Sequence, residues 1–304
     1  MFGKTLLPAA SSLLLAGCVA VAAEAGEPGK PGLPADQHAF LDTCEDWDDW
    51  DKPAPPFKLY GNTYYVGTCG IASILITDDE GHVLLDSGTQ GGARVVEKNI
   101  ATLGFKASDI VLLGYSHEHF DHVGGMAYIQ ELTGALLVSL ERGAETMRSG
   151  KSDPDDPQHG MHEPFAPVSV DFILEDGDAM GVGTTNLQSF ATPGHTPGGT
   201  TWLWESCYGT ECKTIAFADS LSPVSADDYR FSDHPEYLAE YRAGLDRLAQ
   251  LDCDILLAPH PSHARLFTHL EERTLLTMEA PCATYAAQKH ADLDRRLAKE
   301  VEGE

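Results

Sequence analysis

Four side chains able to bind a metal ion stand close together in the segment Ser116-His117-Glu118-His119-Phe120-Asp121-His122. The segment follows an apolar run, Asp109 to Leu113, that is typical of a buried strand. An extended backbone places the first two histidines on the same side, and the aspartate and the third histidine begin the next turn. Imidazole and carboxylate groups are the ligands that suit zinc. The sequence therefore predicts a fold that carries a metal site at the end of one strand.

Two further histidines stand in loops that are predicted to follow strands. His195 lies between two Pro-Gly turns, and His260 lies between two prolines directly after the strand predicted at Asp254 to Ala258. His263 is the alternative to His260, but it does not directly follow a strand. The other seven histidines lack such settings and are expected to lie mostly at the surface. The pattern predicts two zinc ions with three protein ligands each and an open position for catalysis: His117, His119 and His195 for one ion, and Asp121, His122 and His260 for the other.

The order of the predicted strands and helices is that of a mixed α/β protein. Short runs rich in β-branched and aromatic residues open the domain, and the runs Ile71 to Thr77 and His82 to Asp86 are joined by the turn Asp78 to Gly81. Strand-like and helical patterns then alternate, and the succession repeats in the second half, which ends with a helix predicted from Leu266 to about Lys299. We therefore expect two β/α halves packed sheet to sheet with the helices outside.

Charge and composition exclude some classes of function. The chain of 304 residues has a formal net charge of −27, so most of its surface would repel a phosphate backbone. Nucleic acid is therefore not an expected partner, whereas a small anion can still bind because salt screens distant carboxylates beyond about 8 Å. A hydrophobic content of 42% is that of a soluble domain and not of a multi-span membrane protein. We expect a monomer.

The first residues are expected to be a targeting segment. Lys4 precedes an apolar stretch and then small residues, which is the layout of a signal peptide, so we expect export to the periplasm. Leu15-Ala16-Gly17-Cys18 matches a bacterial lipobox, which predicts a signal peptide at 1–17 and outer-membrane attachment through a lipid on Cys18. The alternative is ordinary cleavage after Ala22, which would leave the protein without an anchor. The Pro/Gly-rich residues 18–36 are predicted to be a tether, and 37–304 a single domain.

The cysteines support the same compartment. With Cys18 set aside, six of the seven remain, and sequence alone cannot separate their 15 possible pairings. Local spacing favours three pairs. Cys207–Cys212 would close a short turn between two strand-like runs, and Cys44–Cys69 and Cys253–Cys282 would tie the two chain ends to the core. The alternative is free structural thiols, which are uncommon in exported enzymes.

In order and spacing these motifs resemble the metallo-β-lactamase superfamily. The resemblance covers about residues 45 to 300, and it rests on five features: Asp86-Ser-Gly after a strand, the histidine string, the Gly-His195 loop, Ala218-Asp219-Ser220 and the late His260. Ser220 stands where the first two subclasses of class B β-lactamases carry a zinc-binding cysteine. Together with the Cys253/Cys282 pair, this makes the sequence most similar to the third subclass. The resemblance implies a four-layer αββα sandwich with its active site at one edge of the sheets.

The resemblance also implies an activity, namely zinc-dependent hydrolysis of the β-lactam amide bond, which inactivates the antibiotic. A hydroxide bridging two Zn²⁺ ions would attack the lactam carbonyl. Asp121 would be the catalytic residue that orients this water, and Ser220 and Ser222 would bind the substrate carboxylate. Gln158 is a further predicted substrate contact. The alternatives are that Ser222 is only a turn residue and Gln158 only a loop residue, while Asp86 is expected to bond loop amides beneath the site.

Two other functions stay open. Hydrolases of the same superfamily that act on lactones or thioesters commonly bridge their metals with a carboxylate at the position of Asp219. The adjacent Ser220, the export signal and the disulfides argue against such an enzyme. A non-catalytic periplasmic zinc-binding lipoprotein would also use histidine clusters, but it is expected to close its coordination shell with protein ligands.

Overall fold

Two β-sheets form the centre of the protein in the computed structural model, which describes Met1 and residues 32–302. The first sheet has seven strands, which lie side by side in sequence order: β1 (Phe57–Tyr60), β2 (Thr63–Tyr65), β3 (Ile74–Ile76), β4 (His82–Leu85), β5 (Ile110–Gly114), β6 (Leu136–Leu140) and β7 (Phe172–Leu174). The second sheet has five strands: β8 (Ala179–Val182), β9 (Thr185–Ala191), β10 (Thr200–Tyr208), β11 (Glu211–Phe217) and β12 (Ile255–Leu257). These five lie side by side in reverse sequence order, from β12 to β8.

The strand directions bring several loops to one edge. β1 to β4 pair antiparallel, and the turn predicted at Asp78 to Gly81 does connect β3 to β4. From β4 to β7 the strands are parallel, with helices in the connections. The second sheet is antiparallel except for the parallel pair β11 and β12. Parallel strands end at the same edge, so the segments after β4 and β5 meet there, as do those after β11 and β12.

Helices cover the outer faces of both sheets. The described residues contain eight α-helices: α1 (Ala35–Thr43), α2 (Gly92–Thr102), α3 (Phe120–Val123), α4 (Met126–Thr133), α5 (Glu141–Ser149), α6 (Pro235–Ala249), α7 (Leu266–Glu271) and α8 (Pro281–Glu302). Along β4, Val83 and Leu85 join the apolar layer between the sheets, whereas Leu84 joins the layer under the helices. A third apolar layer lies between the second sheet and helices α6 and α8. The expected αββα sandwich is therefore confirmed.

The N-terminal helix begins earlier than the sequence indicated. The predicted signal peptide, Cys18 and most of the predicted tether lie outside the described residues, but α1 starts at Ala35, inside the range 18–36. Its Phe40 ring is fully buried, with centroids 4.9 Å from Phe57 and 5.3 Å from Phe267. Tertiary packing thus orders the last two residues assigned to the tether. Of the described helices, none combines the length and the apolar character needed to cross a membrane.

The three disulfides favoured by local spacing are all present. Cys207–Cys212 closes the β10–β11 hairpin, where the two residues face each other across the ladder. Cys44–Cys69 joins the segment after α1 to the loop after β2, and Cys253–Cys282 joins the start of β12 to α8. Both chain ends are therefore held against the core, as expected.

Candidate metal centre

Asp86 forms the floor of the site. It follows β4 with a left-handed φ of 61°, which is unusual for an aspartate. Its buried carboxylate accepts hydrogen bonds from the Ser116 backbone N at 2.6 Å and from Ser116 Oγ at 2.7 Å, and one oxygen lies 3.2 Å from Nδ1 of His122. Asp86 therefore holds the loop after β5 from below, which confirms its predicted structural role.

The first predicted ligand group comes together as expected. One ring nitrogen from each of His117, His119 and His195 lies within 4.8 Å of the other two. The first two residues come from the loop after β5 and the third from the loop between β9 and β10. All three side chains are buried. Two loops that are distant in sequence thus supply one three-nitrogen cluster.

The second predicted group lies beside the first. His122 Nε2 is 3.0 Å from Asp121 Oδ2 and 3.3 Å from Nε2 of His260. His260 Nε2 is 3.5 Å from the same carboxylate oxygen. Ligand atoms of His117, Asp121 and His122 also fall within 4.8 Å of one another, so the two groups are contiguous. His263 is not in either ligand group: its ring lies 5.1 Å from that of His260, and its Nδ1 is buried without a hydrogen-bond partner.

Each of the five histidines has one ring nitrogen held by a protein oxygen. Such outer partners fix which nitrogen is left for a metal ion. The nitrogen left over is Nδ1 in His119 and Nε2 in the other four. The contacts, in chain order, are His117 Nδ1 with Ser116 Oγ (3.2 Å), His119 Nε2 with Asp156 (3.1 Å), His122 Nδ1 with Asp86 (3.2 Å), His195 Nδ1 with the Ser222 carbonyl (2.9 Å) and His260 Nδ1 with the Gly70 carbonyl (3.3 Å).

The residues fit a pair of divalent metal ions. Nε2 of His117 is buried and has no hydrogen-bond partner, which is costly unless a ligand satisfies it. Burial and the neighbouring histidines lower the pKa of His117 and of His195, and burial with His122 lowers the pKa of His260 to about 4. Burial works against ionisation of Asp121, but His122 and His260 hold its pKa well below the usual range. Burial works against protonation of His122, but Asp121 and Asp86 raise its pKa to about 10, so a metal ion bound there would have to displace a proton. The neutral imidazoles and the ionised carboxylate are already in the forms that bind metal.

Glu118 joins the two loops that carry the first ligand group. Its buried carboxyl accepts hydrogen bonds from Thr196 Oγ1 at 2.7 Å and from the Gly198 backbone N at 2.8 Å. Burial raises the pKa of Glu118 to about 7. A Cβ at position 198 would lie 2.8 Å from this carboxylate and 2.5 Å from the Gly143 Cα, so the close approach requires glycine. The His195 loop is therefore clamped against the loop after β5.

The predicted substrate contacts lie at the same edge but differ in their surroundings. Ser220 Oγ is buried with no hydrogen-bond partner. The hydroxyl of Ser222 lies 3.2 Å from Nδ1 of His195, so this residue supports a ligand. Gln158 Nε2 is 3.4 Å from His195 Nε2, and Gln158 Oε1 lies 3.2 Å from the His162 ring. Of the three, Ser220 is thus the one whose side-chain oxygen contacts no histidine, whereas both polar atoms of the Gln158 side chain do.

Several residues near the ligands were not found from the sequence. Asp156 holds His119, although its loop carries no periodic pattern that marks it. The His162 ring lies 4.9 Å from that of His119, so this histidine belongs to the rim of the site rather than to the outer surface. Trp50, which is 39% exposed, lies 5.9 Å from the His260 ring. The predicted Cys44–Cys69 disulfide was the one sequence signal that the N-terminal segment packs on the domain.

Asp219 lies outside both ligand groups. Its Oδ1 is 2.9 Å from His117 Nδ1, on the side of the ring that faces away from the ligand cluster, and the contact is not aligned as a hydrogen bond. The side chain is fully buried, and burial raises its pKa. In this arrangement Asp219 supports His117 and does not share a position with the six predicted ligands.

An αββα sandwich that gathers five imidazoles and an ionised carboxylate at one edge has the architecture of a metal-dependent hydrolase. Comparison with known proteins identifies the family. Residues 66–260 match the family model described as the Metallo-beta-lactamase superfamily. The chain belongs to this superfamily, which confirms the resemblance seen in its motifs.

Solved structures agree with this assignment. The structure titled MIM-2 Metallo-Beta-Lactamase is 53% identical, with a TM-score of 0.83 over 88% of this chain and 98% of that chain. MEM-A1, a subclass B3 metallo-beta-lactamase from a soil metagenome library, is 34% identical, with a TM-score of 0.81 over 84% of this chain and 100% of that chain. The similarity to the third subclass, inferred from Ser220, therefore extends over the whole domain.

A curated relative is similar over a shorter stretch. The hydroxyacylglutathione hydrolase of Maricaulis maris (strain MCS10) is 32% identical over 136 residues, which is 45% of this chain and 42% of that protein. The chain therefore spans less than half the length of this relative.

Proposed function

We propose that this protein is a β-lactamase that uses two Zn²⁺ ions to hydrolyse the β-lactam amide bond. The observation that carries the proposal is the pair of contiguous ligand groups, His117/His119/His195 and Asp121/His122/His260. Three protein ligands for each ion leave room for a reacting group, whereas structural zinc sites use four. The likeness to MIM-2 over nearly all of that chain supports the substrate class.

The roles of the side chains follow from their contacts. Zinc ions bound here would supply a nucleophilic water at neutral pH and withdraw charge from the reacting amide. Asp121 is the one ionised carboxylate among the ligands, and its oxygens can accept a hydrogen bond from that water. Ser220 Oγ, which has no protein partner, is available to the substrate carboxylate. Gln158 lies across the His195 ring, where its amide can contact the substrate.

A thioester hydrolase is the second candidate, favoured by the similarity to the hydroxyacylglutathione hydrolase. That activity would use Asp219 as a bridging ligand. The position of Asp219 against His117 Nδ1, outside both ligand groups, favours the β-lactamase. A purely structural zinc site is disfavoured because each group has only three protein ligands.

A substrate panel tests the proposal. Purified full-length protein is assayed with a penicillin, a cephalosporin, a carbapenem, a lactone and S-lactoylglutathione, and its zinc is counted by elemental analysis. We expect hydrolysis of β-lactams, about two zinc ions per chain, loss of activity with a chelator and recovery with Zn²⁺. Serine-directed inhibitors should have no effect, because the domain has no Ser-x-x-Lys nucleophile. Turnover of the thioester alone would assign the protein to the second candidate.

We also propose that the mature protein is a periplasmic monomer anchored by a lipid on Cys18. The support is the lipobox of the sequence and the three disulfides, which belong to an oxidising compartment. Mass spectrometry of protein from expressing cells should find an acylated N-terminal Cys18. An unmodified N-terminus near Ala23 would reject the anchor, and light scattering of the detergent-extracted protein would test the monomer.

A further inference from the structure

A cavity of about 430 Å³ is lined by the loop between β9 and β10, the loop that carries His195. The loop contributes four residues to it: Pro193, Pro197, Gly198 and Gly199. From β6 and β7 come Leu140, Ile173 and Leu174. The volume falls in the range of small-molecule sites, about 300 to 1,000 Å³. His195 and the other five predicted ligands are not among the lining residues, so the cavity lies outside the metal centre.

The walls of this cavity are apolar. Leu140 and Leu174 belong to the apolar layer between the two sheets, and Pro197 is buried. Ile173 is 39% exposed and lies on β7, the last strand of the first sheet. A lining residue that is also exposed stands at the mouth of a cavity. Ile173 therefore offers a hydrocarbon group a contact at the point where the cavity opens to water.

The charged residues around the cavity leave an excess of negative charge. Two of the four that line it form ion pairs with helix α6, namely Arg142 with Glu240 and Asp176 with Arg247. The other two are Glu141 and Glu175, and neither takes part in an ion pair within residues 32–302. Two carboxylates without a cationic partner beside an apolar wall favour a positively charged ligand and repel an anion.

One wall of the cavity is also a support of the metal centre. The Gly198 backbone N donates to Glu118 at 2.8 Å, and a Cβ at this position would lie 2.5 Å from the Gly143 Cα. A Cβ at Gly199 would lie 2.7 Å from Asp219 Oδ2. The loop is thus packed tightly against the protein at both glycines. A ligand that contacts Gly198 and Gly199 in the cavity would press the same loop from the cavity side.

We propose that this cavity binds a small amphiphilic cation. The hydrocarbon part lies against Ile173, Leu174 and Pro197, and the positive group stays at the rim beside Glu141 and Glu175. This arrangement removes apolar surface of the ligand from water while its charge remains hydrated and close to the carboxylates. The inference goes beyond the proposed function, because neither zinc nor the β-lactam takes part in this site.

The test compares three probes that share a hexyl chain and differ in charge. Hexyltrimethylammonium is the cation, and its quaternary nitrogen has no lone pair with which to bind zinc. The neutral probe is 1-hexanol, and the anion is hexanesulfonate. Each probe is titrated into zinc-loaded, full-length protein labelled with ¹⁵N, and the amide signals of Gly198 and Gly199 are followed by NMR. Zinc content is measured before and after each titration, so that any effect at the metal centre is detected.

We expect the cation to shift both glycine signals in a saturable way and to bind roughly 5-fold more tightly than 1-hexanol, the change that about 1 kcal/mol from exposed ion pairs produces. Hexanesulfonate should bind more weakly than either, and the zinc content should stay constant. Absence of binding, equal affinity for the three probes, or shifts confined to residues outside the cavity would overturn the inference. These results do not depend on β-lactam hydrolysis, so failure of the proposed function would be seen separately.

Two pairs of variants locate the probe, and each pair has its own control. Ile173→Ala should weaken the binding of both the cation and 1-hexanol, whereas Phe172→Ala, which changes an exposed residue of the same strand outside the cavity, should not. Glu175→Gln should weaken the binding of the cation alone, whereas Glu145→Gln, at an exposed position of α5 outside the cavity, should leave it unchanged. All four positions are exposed, and thermal unfolding checks that each variant folds. An equal effect within either pair would also overturn the inference.

Discussion

Replacing Asp219 separates the two candidate functions, because they give this carboxylate different tasks. As an outer partner, Asp219 has its ion-pair contact with His117 Nδ1, at 2.9 Å and without an aligned hydrogen bond. Loss of an outer partner typically weakens metal binding 10- to 100-fold. Ser116 Oγ remains 3.2 Å from the same nitrogen. The loss of zinc affinity in Asp219→Ala should therefore lie at the lower end of this range, about 10-fold or ~1.4 kcal/mol.

Protein stability should change little in the same variant. Neither oxygen of Asp219 accepts an aligned hydrogen bond, and burial raises its pKa, so the protein gains little from this carboxylate. Asp86→Ala is the contrasting variant, because the Asp86 carboxylate accepts from Ser116 N and Ser116 Oγ and contacts His122. Each buried donor left without an acceptor costs about 1 to 3 kcal/mol. Asp86→Ala should therefore lower the free energy of unfolding by several times more than Asp219→Ala.

The assay measures zinc affinity by competition with a chromophoric chelator, and zinc content at saturation by elemental analysis. We expect Asp219→Ala to bind two zinc ions at saturation and to keep β-lactam hydrolysis. The zinc affinity of Asp219→Asn should lie between that of Asp219→Ala and that of the wild type. A saturated Asp219→Ala protein that holds one zinc ion or none would refute the reasoning. The carboxylate would then be a bridging ligand, as expected for the thioester hydrolase.

Two further changes test how the site and the chain ends are held. Gly198→Ala should weaken zinc binding at the first ligand group, because the new Cβ would meet the Gly143 Cα at 2.5 Å and push the His195 loop from Glu118. The control is Gly181→Ala in β8, whose Cβ would meet only the Thr185 carbonyl oxygen, at 3.6 Å, and equal zinc affinity in the two variants would contradict the clamp. Removing Cys253–Cys282, which spans 29 residues, should cost about 3.5 kcal/mol against about 2 kcal/mol for Cys207–Cys212, which spans 5, in denaturant unfolding. The reverse order would show that loop closure does not govern these bonds.

Features encoded by short segments were predictable from the sequence. The ligand string lies within one strand end and the following turn, so the local backbone sets which of its side chains share a face. Non-local features were not predictable. α1 lacks a clear apolar stripe and is held by the contacts of Phe40, and Asp156 reaches His119 across 37 residues. These contacts exist only once the chain has packed.

The sequence contains a signal for the start of the C-terminal helix that the prediction did not use. One helix was predicted from Leu266 to about Lys299, whereas α7 ends at Glu271 and α8 begins at Pro281. Proline is well suited to the first position of a helix because it lacks the N–H that would stay unpaired there. The left-handed φ values of Arg273 and Ala280 mark the two bends of the connection. Reading Pro281 as a helix start would have predicted the break.

The charges around the ligands indicate what bound metal ions would contribute to the stability of the site. Four carboxylates are buried at the site, those of Asp86, Asp121, Asp156 and Asp219, and their recorded ion-pair partners in the described residues are histidines. Burial raises the pKa of Asp86 and of Asp219, so divalent ions bound beside these carboxylates would offset the cost of ionising them, and the proposed zinc would stabilise the folded site as well as serve the reaction. Without metal the same carboxylates keep only histidines as ion-pair partners among the described residues, so the metal-free protein should unfold at a lower temperature than the zinc-loaded protein.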